Sequence, residues 1–259
     1  MSTHLRVTLV QTELVWQDPA ANRHRLAAHF RGLLGHTDLV VLPEMFSTGF
    51  SMDASMLAED MHGPTIGWMR EEAAALGCVI TGSLIVREAG RCYNRLVWAR
   101  SDGTLEHYDK RHLFRMAGEQ DHYAAGARRL VVDLKGWRVC PMICYDLRFP
   151  VWSRSRDDYD LLLYVANWPQ RRAHAWSTLL KARAIENLCY VAGVNRIGKD
   201  GNGATYAGDS VALDFLGQPL SSEGGGDRVE TAVLDLESLR SYRASFPAHL
   251  DADRFELLA

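Results

Sequence analysis

No stretch of this 259-residue chain is apolar for the roughly 18 to 20 consecutive residues that a membrane-spanning helix needs. The opening segment, Met1 to Gln11, has neither the basic start nor the long apolar run of a signal peptide and passes directly into a strand-like Leu5-Arg6-Val7-Thr8-Leu9-Val10. Basic charge is not in excess either. With Lys+Arg 29 against Asp+Glu 32 the formal net charge is -3, so nothing draws in phosphate backbones or anionic lipid, and neither nucleic acid nor a membrane surface is an expected partner. The cysteines number only five, an odd count, and several sit inside apolar runs, which suits a reducing compartment better than a disulfide framework. A cytoplasmic protein is expected.

Metal-binding spacing is also missing. His107, His112 and His122 share one stretch, but no pair is four residues apart, and Cys140 and Cys144 do not form a C-x-x-C unit, so no metal is expected. Gly201-Asn202-Gly203 and Gly224-Gly225-Gly226 do not open helices after strands as phosphate loops do, and are read as turns. No linker, repeat or low-complexity segment interrupts the chain. One domain over 1–259 is expected, of a size that buries roughly three quarters of its unfolded surface without staples.

What is present is a recurrence of short apolar runs separated by helix-like segments. Strands are predicted at Leu5–Gln11, Asp38–Leu42, Cys78–Val86, Cys92–Ala99, Trp137–Ile143, Leu161–Ala166, Cys189–Val194, Ser210–Phe215 and Glu230–Leu236. Helices are predicted at Ala20–Leu34, Thr65–Ala75 and Ala173–Leu188, and loops at Ser47–Gly63, His112–Arg129, Lys199–Gly203 and Ser221–Asp227. The fold class is α/β.

Three of these strands end on a polar residue: Glu44, Cys144 and Asn167. Strand carboxyl ends form the ligand crevice of open α/β sheets, so these side chains are candidates to converge. Each residue type leaves two readings open. Glu44, at the edge of an apolar core, is either a proton acceptor with a raised pKa or a solvated turn residue. Cys144 is a nucleophile or a small buried hydrophobe. Lys110 is a cation that favours a thiolate and holds an oxyanion, or a surface lysine in a charged loop.

Taken together, Glu44 in Leu-Pro-Glu-Met-Phe, Lys110 in Tyr-Asp-Lys-Arg-His-Leu-Phe and Cys144 in Ile-Cys-Tyr-Asp-Leu-Arg-Phe-Pro resemble the ordered Glu-Lys-Cys signature of the nitrilase, or carbon–nitrogen hydrolase, superfamily. The resemblance extends over nearly the whole chain through Gly118-Glu119-Gln120, Asn167-Trp168-Pro169, Arg183-Ala184-x-Glu186-Asn187 and Gly208-Asp209-Ser210. It implies a single-domain αββα sandwich that pairs into an αββααββα homodimer or a homotetramer. Within the superfamily the chain looks closest to the Nit-type branch and its bacterial YafV-type ω-amidases, which remove the terminal amide of 2-oxoglutaramate or 2-oxosuccinamate.

That resemblance implies a catalytic set of Glu44, Lys110 and Cys144, with Glu119 at the family's second-glutamate position and the Tyr145 N–H as a second oxyanion donor. Its substrates are a small amide bearing a carboxylate and water, and no cofactor is implied. Arg148, four residues after the nucleophile, is expected to face the acyl pocket, where its planar fork suits a distal carboxylate; the alternative is a structural ion pair with Asp146. Phe46, Tyr145, Trp168 and Asn167 are the remaining expected pocket residues. Three other functions stay open: another reaction of the same superfamily on a nitrile, carbamoyl or N-acyl amide group, a non-catalytic interaction protein on the same scaffold, or a redox protein using Cys140 and Cys144.

Overall fold

The computed structural model describes residues 3–155, 157–222, 224–253 and 255–257. Glu223 of the turn at Ser221–Asp227, Arg254, Leu258 and Ala259 of the tail, and the first two residues lie outside the described residues. The strands are β1 (His4–Gln11), β2 (Leu39–Val41), β3 (Val79–Glu88), β4 (Arg91–Ala99), β5 (Leu105–Asp109), β6 (Val132–Leu134), β7 (Trp137–Ile143), β8 (Leu161–Ala166), β9 (Tyr190–Asn195), β10 (Ile197–Lys199), β11 (Thr205–Ala207), β12 (Val211–Leu213) and β13 (Arg228–Asp235). One sheet has the order β13-β1-β2-β3-β4-β5, a second has β12-β9-β8-β7-β6, and β10 with β11 makes a separate hairpin.

Period-two alternation sends each strand of the first sheet to two different cores. Leu5, Val7, Leu9, Leu39, Val41, Leu96 and Trp98 face the second sheet and meet Trp137, Val139, Met142 and the buried strand β8 there. Val10, Val40, Leu42, Ile80, Val97 and Ala99 point the other way, onto Leu26 of helix Pro19–His29, Phe30 just after it, and Ile66, Met69 and Ala73 of helix Pro64–Leu76. The second sheet is covered on its far side by helix Ala173–Asn187, through Trp176, Leu180 and Ala184. The layers therefore read helix, sheet, sheet, helix: the expected αββα sandwich.

The departures from expectation have local causes. The first helix stops at His29, five residues early, and Gly32 at φ +85° then turns the chain away. The last strand ends one residue sooner than predicted because the Asp235 side chain caps a new helix, Leu236–Ser245, by accepting from the Glu237 N–H at 3.1 Å. Strand β5, Leu-Glu-His-Tyr-Asp, is too polar for a sequence pattern to reveal, and is held by antiparallel pairing with β4 from Arg95↔Asp109 to Ala99↔Leu105.

Candidate active site

Glu44, Cys144 and Asn167 lie past the carboxyl ends of β2, β7 and β8. They do converge, but across the two stacked sheets: β2 belongs to the first, while β7 and β8 run parallel in the second with Ile143 opposite Val165. Lys110 follows β5 and so closes the site from the first sheet. Its backbone N–H donates to the Asn94 carbonyl at 3.0 Å and its own carbonyl accepts from the Gly126 N–H at 2.9 Å, which fixes it as a ladder residue and not a loop lysine.

The side chains form one buried polar cluster. The Lys110 Nζ donates to Glu44 Oε1 at 2.8 Å and to Glu119 Oε1 and Oε2 at 3.0 and 2.9 Å. Asn94 Nδ2 bridges the same two carboxylates, at 2.8 Å from Glu44 and 3.2 Å from Glu119. The second Glu44 oxygen accepts from the Asn167 N–H at 2.8 Å, while the Asn167 side-chain amide donates to the Glu44 carbonyl. Glu44, Lys110, Glu119 and Asn94 are fully buried. Glu119 also accepts from the Phe114 N–H at 2.6 Å, so its rotamer is fixed from three sides.

Burial alone would lower the Lys110 pKa, but the negative charge of Glu119 and Glu44 and the nearby Cys144 outweigh it, and the pKa is raised. The lysine is a permanent cation here. Burial raises the Glu119 carboxyl, with Lys110 working against that rise and Glu44 adding to it. The Cys144 thiol is pushed well above its ordinary value, first by burial and then by the charge of Glu44, to which it hydrogen-bonds, with Lys110 opposing. Burial and the charge of Glu44 thus both favour keeping the proton on the Cys144 sulfur.

Cys144 adopts φ +43° at the head of a tight turn, Cys144–Arg148. A non-glycine residue in this left-handed region is strained and needs its surroundings to hold it. Asp146 supplies the hold: its carboxylate accepts from the Ile143 N–H at 3.1 Å, the Tyr108 hydroxyl at 2.7 Å, and the His112 N–H and Nδ1 at 3.0 and 2.8 Å. Asp146 is thus fully engaged elsewhere, and the alternative Arg148 to Asp146 ion pair is not formed among the described residues.

A cavity of about 690 Å³ opens over Cys144 and Lys110 and is lined by Tyr145, Arg148, Asn167 and Trp168 among others. The Arg148 guanidinium lies over the Trp168 ring, 4.9 Å from its centroid. Asn167 serves Glu44 with both nitrogens, yet its Oδ1 is buried with no partner among the described residues. Phe46 corrects an expectation: it does not line the cavity but packs in the outer core against Trp68, with centroids 6.0 Å apart. Phe46 shares the outer core of Val40 and Leu42, while β2 ends at Val41 and Glu44 and Met45, the latter at φ +43°, lie in the turn beyond it. Gly82 makes the space, since a Cβ there would stand 2.8 Å from Phe46 Cδ1.

Sequence reasoning missed Asn94, whose one signal is a polar residue amid an apolar strand. It also missed Phe50, whose ring lies 5.2 Å from Lys110 Nζ, and Arg172, which shares the cavity wall. The turn read at Lys199–Gly203 contributes Asp200, Asn202 and Gly203 to the rim.

A buried carboxylate, ammonium and thiol at the ends of an αββα sandwich define an amide-hydrolase type of site, and comparison with known proteins agrees. The carbon-nitrogen hydrolase family pattern matches residues 6–244, and the chain belongs to that family. It is 51% identical to "Omega-amidase YafV" of Yersinia enterocolitica over 264 residues, covering 100% of both chains. It is 30% identical to "2-oxoglutaramate amidase" of Bacillus subtilis, over 95% of this chain and 96% of that one. Among solved structures, that of XC1258 from Xanthomonas campestris, a CN-hydrolase superfamily protein with an arsenic adduct in the active site, superimposes with a TM-score of 0.97. The two are 53% identical, with 99% of this chain and 100% of that one covered.

Proposed function

We propose that this carbon–nitrogen hydrolase is an ω-amidase that releases ammonia from 2-oxoglutaramate or 2-oxosuccinamate through a thioester on Cys144. The observation that carries it is the meeting of buried Glu44 with Lys110 and Cys144, the latter two lining a cavity whose wall includes Arg148. Full-length similarity to an ω-amidase and to a 2-oxoglutaramate amidase supports the substrate class.

In this mechanism Glu44 takes the thiol proton as Sγ attacks the amide carbonyl, because a thiol with a raised pKa does not ionise in advance. The tetrahedral oxyanion is held by the Lys110 ammonium and the Tyr145 N–H. Glu44 then returns its proton to the departing nitrogen, and ammonia leaves with the C–N bond broken and a Cys144 thioester formed. The same carboxylate next deprotonates a water, which cleaves the thioester, frees the acid and restores the thiol. Glu119 keeps Lys110 in place, and Asn94 keeps the two carboxylates apart by donating to both. Arg148 binds the substrate's distal carboxylate, with Tyr145 and Trp168 as walls of the acyl pocket.

The proposal treats residues 1–259 as one catalytic domain, working in the cytoplasm as a homodimer or homotetramer. No helix among the described residues is long and apolar enough to cross a membrane, and all five cysteines are free. The test is steady-state ammonia release across 2-oxoglutaramate, 2-oxosuccinamate, glutamine, asparagine and simple nitriles. Preference for the two 2-oxo acids supports the proposal. Preference for a nitrile, or for neutral amides, contradicts it.

A further inference from the structure

We infer that Arg172 is a second specificity-determining cation of the cavity, which together with Arg148 receives the distal 2-oxo-carboxylate end of the substrate. This rests on the ω-amidase proposal and adds a residue to it.

Arg172 closes the short turn Gln170–Arg172 just before helix Ala173–Asn187, and lines the same cavity as Cys144 and Arg148. Its guanidinium lies over the Phe114 ring at 5.4 Å from the centroid. Nη2 reaches only the Met116 sulfur, at 3.0 Å, a weak acceptor, and Nη1 is buried with no partner among the described residues. The half-buried guanidinium thus rests on an aromatic face and a thioether with no counter-ion among the described residues.

The acids of the cavity wall do not supply that counter-ion. Asp200 accepts from the Tyr206 hydroxyl at 2.7 Å and from the Asn202 and Ala204 N–H groups at 2.9 Å each. Asp53 accepts from Gln17 Nε2 at 2.6 Å. The neighbours that act on Arg172 are cationic: burial lowers its pKa first, and repulsion from Arg171 and Arg148 lowers it further, with Tyr145 and Cys144 opposing. Two guanidinium groups in mutual repulsion at one cavity make a receptor for an anion. A 2-oxo acid presents adjacent carboxylate and ketone oxygens, enough acceptors to satisfy two forks at once.

The experiment compares wild type with Arg172→Gln and Arg172→Lys, all verified as folded by circular dichroism. KM and kcat are measured for 2-oxoglutaramate and for a neutral amide such as butyramide. Protection of Cys144 from iodoacetamide by 2-oxoglutarate, the product acid, gives a binding readout free of turnover. The expected result for Arg172→Gln is a rise in KM and in the protecting concentration on the order of tenfold to a hundredfold, the usual worth of a charge-assisted hydrogen bond. Turnover at saturation should stay within about threefold, the lysine should recover part of the loss, and butyramide should be unaffected. Equal losses on both amides, or unchanged KM and protection, overturn the inference. A wild type that turns over 2-oxoglutaramate while Arg172→Gln matches it removes only the role of Arg172; a wild type that ignores 2-oxoglutaramate removes the ω-amidase proposal as well.

Discussion

Lys110 and Glu44 meet at 2.8 Å, Nζ to Oε1, with neither side chain exposed to solvent. They come from different strands of one sheet, and the nucleophile comes from the other sheet, so the pair ties the site to the packing of the whole sandwich. Breaking a buried pair by removing one partner costs about 3–5 kcal/mol of stability. In the proposed mechanism the ammonium of this pair holds the oxyanion.

Replacing Lys110 with Met should therefore act on both stability and rate. At a temperature where the variant is still folded, kcat for 2-oxoglutaramate should fall by about a hundredfold to a thousandfold, the loss typical of one oxyanion donor. Steady-state kinetics beside a thermal melt would separate the two effects. A rise in KM with kcat unchanged would make Lys110 a ground-state binding residue instead.

Phe46 gives a prediction of the opposite kind. Because its ring fills the outer core beside Gly82 and Trp68, Phe46→Ala should cost about 3–5 kcal/mol in chemical denaturation. The ratio of kcat/KM between 2-oxoglutaramate and a neutral amide should not change. A shift in that ratio without loss of stability would return Phe46 to the acyl pocket.

This residue also marks where the sequence stopped being legible. Strands such as Trp137–Ile143 and Leu161–Ala166 were found to the residue, because runs of aliphatic side chains buried on both faces leave little doubt about period or bounds. The Glu44, Lys110 and Cys144 set was visible through its motifs, and its convergence followed once strand ends were placed. What hid from the sequence were features made by tertiary contacts. Met45 takes a left-handed conformation that no pattern announces, in the turn where Glu44 leaves the outer-core face that Val40, Leu42 and Phe46 share. Polar β5 is a strand only because β4 pairs with it, and Asn94 acquires its role only when two carboxylates from distant segments close on its amide.

The far end of the sandwich is held by charge. Asp38, just before β2, is bound by Arg6 at 2.9 Å in its own sheet and by Lys135 from the turn between β6 and β7 in the other. Burial by itself would raise the Asp38 pKa, but the hydrogen bonds from Arg6 and Lys135 overcome it and hold the carboxyl at about 2, below its ordinary 3.8. A depressed folded pKa means that the stabilisation is present above pH about 4 and is lost as pH falls toward about 2. Asp38→Asn should therefore lower the Tm at neutral pH, with the gap to wild type closing as the pH approaches 2. A gap that stays constant down to that pH would show that Asp38 contributes by packing alone.

The central claim is that Cys144 is the nucleophile, and the most direct measurement is ammonia release from 2-oxoglutaramate by wild type and Cys144→Ala at equal concentration. Folding is verified for both by matching circular dichroism and melting curves. The fold should survive, since Cys144, although buried at the edge of the inner core, lines the cavity and the lost sulfur leaves space that opens into it. The account requires sustained release by the wild type and none above background by the variant. Release at the wild-type rate from a well-folded Cys144→Ala would contradict it.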